Sequence, residues 1–472
     1  MMEKSMQTNQ ARTTPVDFID CLNPATNESL GRVSIDDPAA VAGAVERARE
    51  AQQAWAKTSF SRRRAVLQAL LDYILDHRDE IVDDAVLDAG KTRESAIVGE
   101  IWTVCAKLQW TIKKGEKYLR TERMSSGLFL HKKAFIEYHP RGVVGVICPW
   151  NYPFQNIMGP LIPALFAGNA VVVKVSEAVA WSSDRYQKIF DQVLTAHGLS
   201  SDLIRIVQGY GGTGAALVKS GVNLIVFTGS VPNGRKIIAG SAETITPVIL
   251  ELGGKDPMII CDDADLEEAV HSALGGVFIA CGQNCLAAER IFVQSGIYDA
   301  FLSKVTELVK AFRQGAPTGD TPVDVGAIVS SVQVDLIESL VRDAVAKGAT
   351  VVTGGERVLT DRGQYFAPTI LTDLTDEMRI TQEETFGPIM CIRKVKDEDE
   401  AIRIANSIEF GLASSVFTKE RAKGKRIAQQ IEACHVRQWV WYYLHGAGFA
   451  IRRCQSVGVW SAEWPRRAEG LY

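Results

Sequence analysis

Between residues 142 and 229, four short apolar runs, GVVGVIC, AVVVKV, LIRIVQG and LIVFTG, alternate with longer amphipathic stretches such as DRYQKIFDQVLTAHG. Runs this short fit strands better than helices, and their nearly continuous apolar character fits strands buried on both faces. Parallel neighbours need a crossover between them, so the alternation predicts a parallel, doubly wound sheet of the α/β class. A second α/β unit opens near PVILELGGKDPMIICDDADLEEAV. It continues through RIFVQSG, helices near 297–312 and 333–347, ATVVTGG, PIMCIRKV and the helix DEDEAIRIANS. Ahead of both units, apolar residues at three- and four-residue spacing predict helices over 38–57, 61–87 and 92–117. The stretch TERMSSGLFLHKKAFIEYHP at 121–140 reads as an extended hairpin arm. A chain of 472 residues exceeds one ordinary core, so two or three domains are expected.

Composition narrows the function. Hydrophobic residues make up 46% and the net charge is −4, which points away from nucleic acid or an anionic membrane as the main partner. The nine cysteines are scattered without a CxxC pair, which argues against a disulfide framework or a zinc ribbon and fits a reducing, cytoplasmic setting. No metal-ligand cluster is visible, and the first twenty residues lack the apolar stretch of a signal peptide. Gly142 to Val173 carries no charged residue and is long enough to span a bilayer. Four prolines, three asparagines and a glutamine interrupt it, so it reads instead as buried strand, loop, helix and strand.

Three residues stand out as candidates for chemistry. Cys285, in CGQNC, is a covalent nucleophile if its thiolate is accessible; taken alone, most cysteines are small buried hydrophobes, and Cys281 is read that way. Glu251 closes an apolar run in LELGGKD, where burial can tune a carboxylate into a general base; alone it could equally be a capping or paired acid. Asn151, in CPWNYPF, has an amide able to donate to a developing oxyanion; alone it reads as a turn residue.

Six motifs occur in order: PWN at Pro149–Asn151, KVSE at Lys174–Glu177, GSVPNG at Gly229–Gly234, ELGGK at Glu251–Lys255, GQNC at Gly282–Cys285 and ETFGP at Glu384–Pro388. In this order and spacing the chain resembles the aldehyde dehydrogenase family over roughly residues 18 to 432. The resemblance implies a Rossmann-like cofactor domain over 1–120 and 141–250, a small β oligomerisation arm at 121–140 and an α/β catalytic domain over 251–432. It implies that a small-molecule aldehyde is oxidised to a carboxylate and that the chain forms a homo-oligomer. Cys285 would attack the aldehyde carbon, Asn151 and the Cys285 backbone amide would hold the oxyanion, and Glu251 would activate water to hydrolyse the thioester. Relatives that pass the acyl group to coenzyme A typically lack this glutamate. For the cofactor, Lys174 and Glu177 match residues that hold the adenosine ribose. An acid there favours NAD, with NADP left open. Gly229, Ser230 and Gly234 match the pyrophosphate turn. Glu384 and Phe386 match the contacts to the nicotinamide ribose and ring, and Trp150 lies where the family contacts the cofactor. A narrower reading is a semialdehyde dehydrogenase with a charged substrate.

The last forty residues depart from this pattern. Four of the nine tryptophans fall there, and no Asp, Asn, Lys or Thr follows Ala433. Codons chosen for Arg453–Tyr472 and read one base later translate as GVKVSGFGRLNGPEGLKGF, which matches the missing family segment. The tail at 433–472 therefore reads as a family C-terminus in a shifted frame, from an insertion or deletion near codon 434. Loss of that segment is expected to leave an unpaired strand edge. It opens a second reading, an inactive and misassembled product.

Overall fold

The computed structural model describes residues 18–129, 131–317, 322–358, 362–433, 435–439 and 450–451. The four apolar runs form strands Val143–Ile147, Ala170–Lys174, Ile204–Val207 and Leu224–Gly229, and Val248–Leu252 joins them as a fifth. All pair in parallel. In chain order the strands lie third, second, first, fourth, fifth across the sheet. The order therefore reverses between Val143–Ile147 and Leu224–Gly229, the crevice where doubly wound sheets bind ligands at their carboxyl ends.

The uncharged stretch is folded as read: strand Val143–Ile147, helix Pro153–Phe166 and strand Ala170–Lys174, all largely buried. Among the described residues no helix is long and apolar enough to cross a membrane. The N-terminal helices share one core with this sheet, in which Trp55, Leu67, Ile74 and Leu108 meet Phe154, Phe166 and Val172.

Two of the three predicted N-terminal helices are interrupted. The span 61–87 breaks into Phe60–Asp76 and Arg78–Ala89. At the junction the His77 ring stacks on Tyr73 at 3.9 Å, and its backbone N–H and its Nδ1 each lie 3.0 Å from the Tyr73 carbonyl oxygen. The span 92–117 contains a π-helical segment, Ile97–Trp102, between Arg93–Ala96 and Thr103–Leu119. The arm is an antiparallel hairpin of Glu122–Met124 with Ala134–Ile136.

The second sheet places Thr350–Thr353, Thr369–Thr372, Ile389–Val395, Arg290–Gln294, Pro257–Ile260, Ala413–Phe417, His435–Trp439 and Ala450–Ile451 side by side. Its interior strands are parallel, and only the two end strands run antiparallel. His435–Trp439 pairs with Ala413–Phe417 along its whole length. A ladder is made of backbone N–H and C=O groups, so this pairing does not depend on the strand's particular side chains. Apart from Ala450–Ile451, the rest of the tail, with His445, Trp441, Trp460 and Trp464, lies outside the described residues.

Candidate active site

Asn151 leaves the first sheet just past strand Val143–Ile147, and Glu251 lies on the last strand of that sheet, opposite Thr228. Cys285 follows helix Leu266–Phe278 of the second unit in a short segment of unusual backbone. Ala280 and Cys281 have φ of 50° and 59°, and Phe386 across from them has φ of 52°. Left-handed backbone at non-glycine residues costs on the order of 1–3 kcal/mol each and clusters where function requires it. Gly282, with φ of 72°, permits the contact between the two motifs: a Cβ there would overlap the Gly387 carbonyl oxygen.

Hydrogen bonds join the three candidates' segments. Asn151 Nδ2 donates to the Gln283 carbonyl at 3.1 Å, and Asn156 Nδ2 donates to Asn151 Oδ1 at 3.0 Å. A carbonyl can only accept, so the amide nitrogen of Asn151 must face the Cys285 segment. Gln283 is fixed in turn, donating to the Ala280 and Ala327 carbonyls and accepting from Val329 N at 2.9 Å. The Cys285 sulfur is half-buried. Burial pushes its thiol up to about 12, with Asp256, Glu251 and Glu384 adding to the rise. Burial pushes the Glu251 carboxyl up to about 7, opposed by the charge of Lys107 on helix Thr103–Leu119. Burial pulls the Lys107 ammonium down to about 8.

No local pattern signals how the ETFGP segment is held. Glu289 does it: its carboxylate accepts from Thr385 N at 2.8 Å and Phe386 N at 2.9 Å. The same carboxylate pairs with Lys255 at 2.5 Å, and Lys255 also donates to Thr385 Oγ1 at 2.8 Å. Both charges are buried, and together they tie the ELGGK and ETFGP motifs into one unit. Glu384 Oε1 accepts from Gly254 N at 3.0 Å, and burial, then Glu289, pushes its carboxyl up to about 8. The Trp150 ring meets the Phe386 ring edge-on at 5.3 Å.

The remaining expected residues lie along the carboxyl ends of the first sheet. Lys174, buried at the end of its strand, pairs with the more exposed Glu177 at 3.3 Å. Gly229 ends the next strand, and Ser230 precedes helix Val231–Ala242, where Gly234 N donates to the Ser230 carbonyl at 2.9 Å. No described side chain caps that helix, which leaves its first-turn amides for an anion.

A sheet in this strand order, with its carboxyl ends facing a second parallel unit, places the chain among the dinucleotide-binding α/β proteins. The aldehyde dehydrogenase family model matches residues 11–447, past residue 432 where the motif resemblance stops. An aldehyde dehydrogenase-like protein of Schizosaccharomyces pombe is 40% identical over 85% of this chain and 78% of its own. A betaine aldehyde dehydrogenase of Cereibacter sphaeroides is 35% identical over 88% of this chain and 84% of its own. Among solved structures, lactaldehyde dehydrogenase from Escherichia coli superposes with a TM-score of 0.85 at 32% identity, covering 91% of this chain and 88% of that one. Betaine aldehyde dehydrogenase from Staphylococcus aureus, in complex with NAD+, gives 0.84 at 32% identity over 91% and 85%. The chain belongs to the aldehyde dehydrogenase family and is an NAD(P)-dependent enzyme that oxidises aldehydes.

Proposed function

We propose that the chain converts an aldehyde to a carboxylate through a thioester on Cys285 that water hydrolyses. The observation that carries this is the joining of the Asn151 amide to the Cys285 segment, beside a carboxyl near neutrality. Cys285 Sγ attacks the aldehyde carbon, and the Asn151 amide and Cys285 N–H receive the oxyanion. A bound dinucleotide would supply the hydride acceptor. Glu251 then takes a proton from water as that water attacks the thioester.

The residues at the sheet's carboxyl ends suit a dinucleotide. Lys174 and Glu177 would hold the ribose, the turn Gly229, Ser230 and Gly234 would meet the pyrophosphate, and Trp150, Glu384 and Phe386 would surround the nicotinamide end. Glu177 accepts from ribose hydroxyls and repels a 2′-phosphate, so NAD is preferred to NADP. On this reading 1–120 and 141–250 form the cofactor domain and 251–432 the catalytic domain. The seven free cysteines of the described residues support a reducing, cytoplasmic setting. The test is NADH formation across neutral, cationic and carboxylate-bearing aldehydes; no turnover with any of them would remove the assignment.

If Glu251 is the base, it works deprotonated, so the steady rate falls as pH drops through about 7. Lys107 opposes the rise caused by burial, so Lys107→Met moves this limb to higher pH. A pH profile of steady NADH formation reads the shift, and an unmoved limb would uncouple Lys107 from the base.

The arm supports a homo-oligomer. It exposes Met124, Leu128, Phe129, Phe135 and Ile136, apolar side chains that a second copy would cover. Phe129→Glu with Phe135→Glu is expected to lower the mass found by sedimentation equilibrium; an unchanged mass would take the arm out of the interface.

A further inference from the structure

Lys91 and Glu100 form an ion pair at 2.7 Å with side chains 2% and 0% exposed. Two buried charges are costly, and a well-packed apolar pair is often as stable or more so. What distinguishes this pair is where its hydrogen bonds go. Lys91 Nζ donates to Glu100 Oε1 and to the Asn151 carbonyl, both at 2.7 Å, and sits 3.8 Å from the centre of the Tyr152 ring. Glu100 Oε2 accepts from Phe154 N at 3.2 Å and Gln155 N at 2.8 Å, the free first-turn amides of helix Pro153–Phe166. Outside the pair itself, every one of these contacts falls on residues 151–155.

The backbone around Glu100 is shaped to allow this. Glu100 lies in the π-helical segment Ile97–Trp102, and such segments recur at functional sites. Its widened turn brings Gly99 against Tyr152 so closely that a Cβ there would overlap the ring. Thr103 Oγ1 donates to the Gly99 carbonyl within the same turn.

We propose that the buried Lys91–Glu100 pair is the positioning device for the oxyanion amide. It clamps the Asn151 backbone on one side and the start of the next helix on the other. The Asn151 side chain then holds its line between Asn156 and Gln283. Lys91 and Glu100 are positioning residues: they touch neither substrate nor cofactor and act through Asn151. The inference rests on Asn151 being the oxyanion donor. A misplacement of about 1 Å in such a group costs on the order of 10²-fold in rate.

The test uses the full-length enzyme, taking only the fraction that elutes as folded protein on size exclusion with the parent's near-UV circular dichroism, so that unfolded protein does not count. Lys91→Met with Glu100→Gln removes both charges together and leaves no lone buried ion. The expected result is a fall in kcat of about 10²-fold, with KM for aldehyde within about threefold of the parent. Asn151→Ala alone is expected to lower kcat by about 10²- to 10³-fold. Adding Asn151→Ala to the Lys91 and Glu100 changes should bring little further loss, because both act through one amide. If the paired variant does not fold, Glu100→Asp carries the same test: it keeps the charge but withdraws it by one methylene. Full kcat in these variants while Asn151→Ala is crippled would overturn the inference alone. Losses that multiply would also overturn it, since the pair would then act by another route. Full kcat in Asn151→Ala would overturn the oxyanion reading itself.

Discussion

Cys285→Ala lowers aldehyde-dependent NAD(P)H formation by about four orders of magnitude or more while dinucleotide binding is retained. The size of the loss follows from the lack of a substitute sulfur. Cys281, four residues earlier, is fully buried, and burial holds its thiol well above the ordinary value. Its φ of 59° fixes it in the bend that shapes the segment. Cys148 is buried beneath the first sheet's loop, with its thiol against the Asn156 carbonyl at 3.1 Å. Initial rates at saturating aldehyde and cofactor measure the effect. A variant retaining a tenth or more of the parent rate would mean that another group carries the covalent step.

Glu251→Gln separates the two halves of the reaction. Glutamine keeps the shape of the side chain but cannot take a proton from water. Acylation therefore proceeds once per site and deacylation stalls. Stopped-flow traces should show a burst of one reduced cofactor per active site, followed by a steady rate lowered by about 10²- to 10⁴-fold. An undiminished steady rate would dismiss Glu251 as the base. Loss of the burst as well would place it in the acylation half.

The sequence made the two sheets and their motifs visible because each rests on local pattern. Buried parallel strands are continuous apolar runs, and GVVGVIC, AVVVKV and LIVFTG became the centre of the first sheet. Cys285, Glu251 and Asn151 were marked by their motifs, and the structure adds the hydrogen bond that ties the Asn151 amide to the cysteine's segment. Long-range pairings were not legible. Nothing local distinguishes Glu289 or Glu100 from a surface acid, yet each is buried and holds the backbone of a distant motif. The break at His77 was hidden because the apolar period runs on through it and the His77 backbone N–H still reaches the Tyr73 carbonyl. The π-helical turn was hidden in the same way, since one widened turn barely disturbs a helical pattern. At the other end, the composition of the tail carries no strand signal, while backbone pairing places His435–Trp439 beside Ala413–Phe417.

The most direct test of the central claim is an intact mass of the Glu251→Gln variant, quenched in acid at the end of the burst. Thioester formation sends a hydride to the cofactor and the thiol proton to solvent. The protein should therefore gain the mass of the aldehyde less two hydrogens, and peptide mapping should place the acyl group on Cys285. An unmodified protein throughout the burst, or an acyl group on Cys281, would contradict covalent catalysis by Cys285.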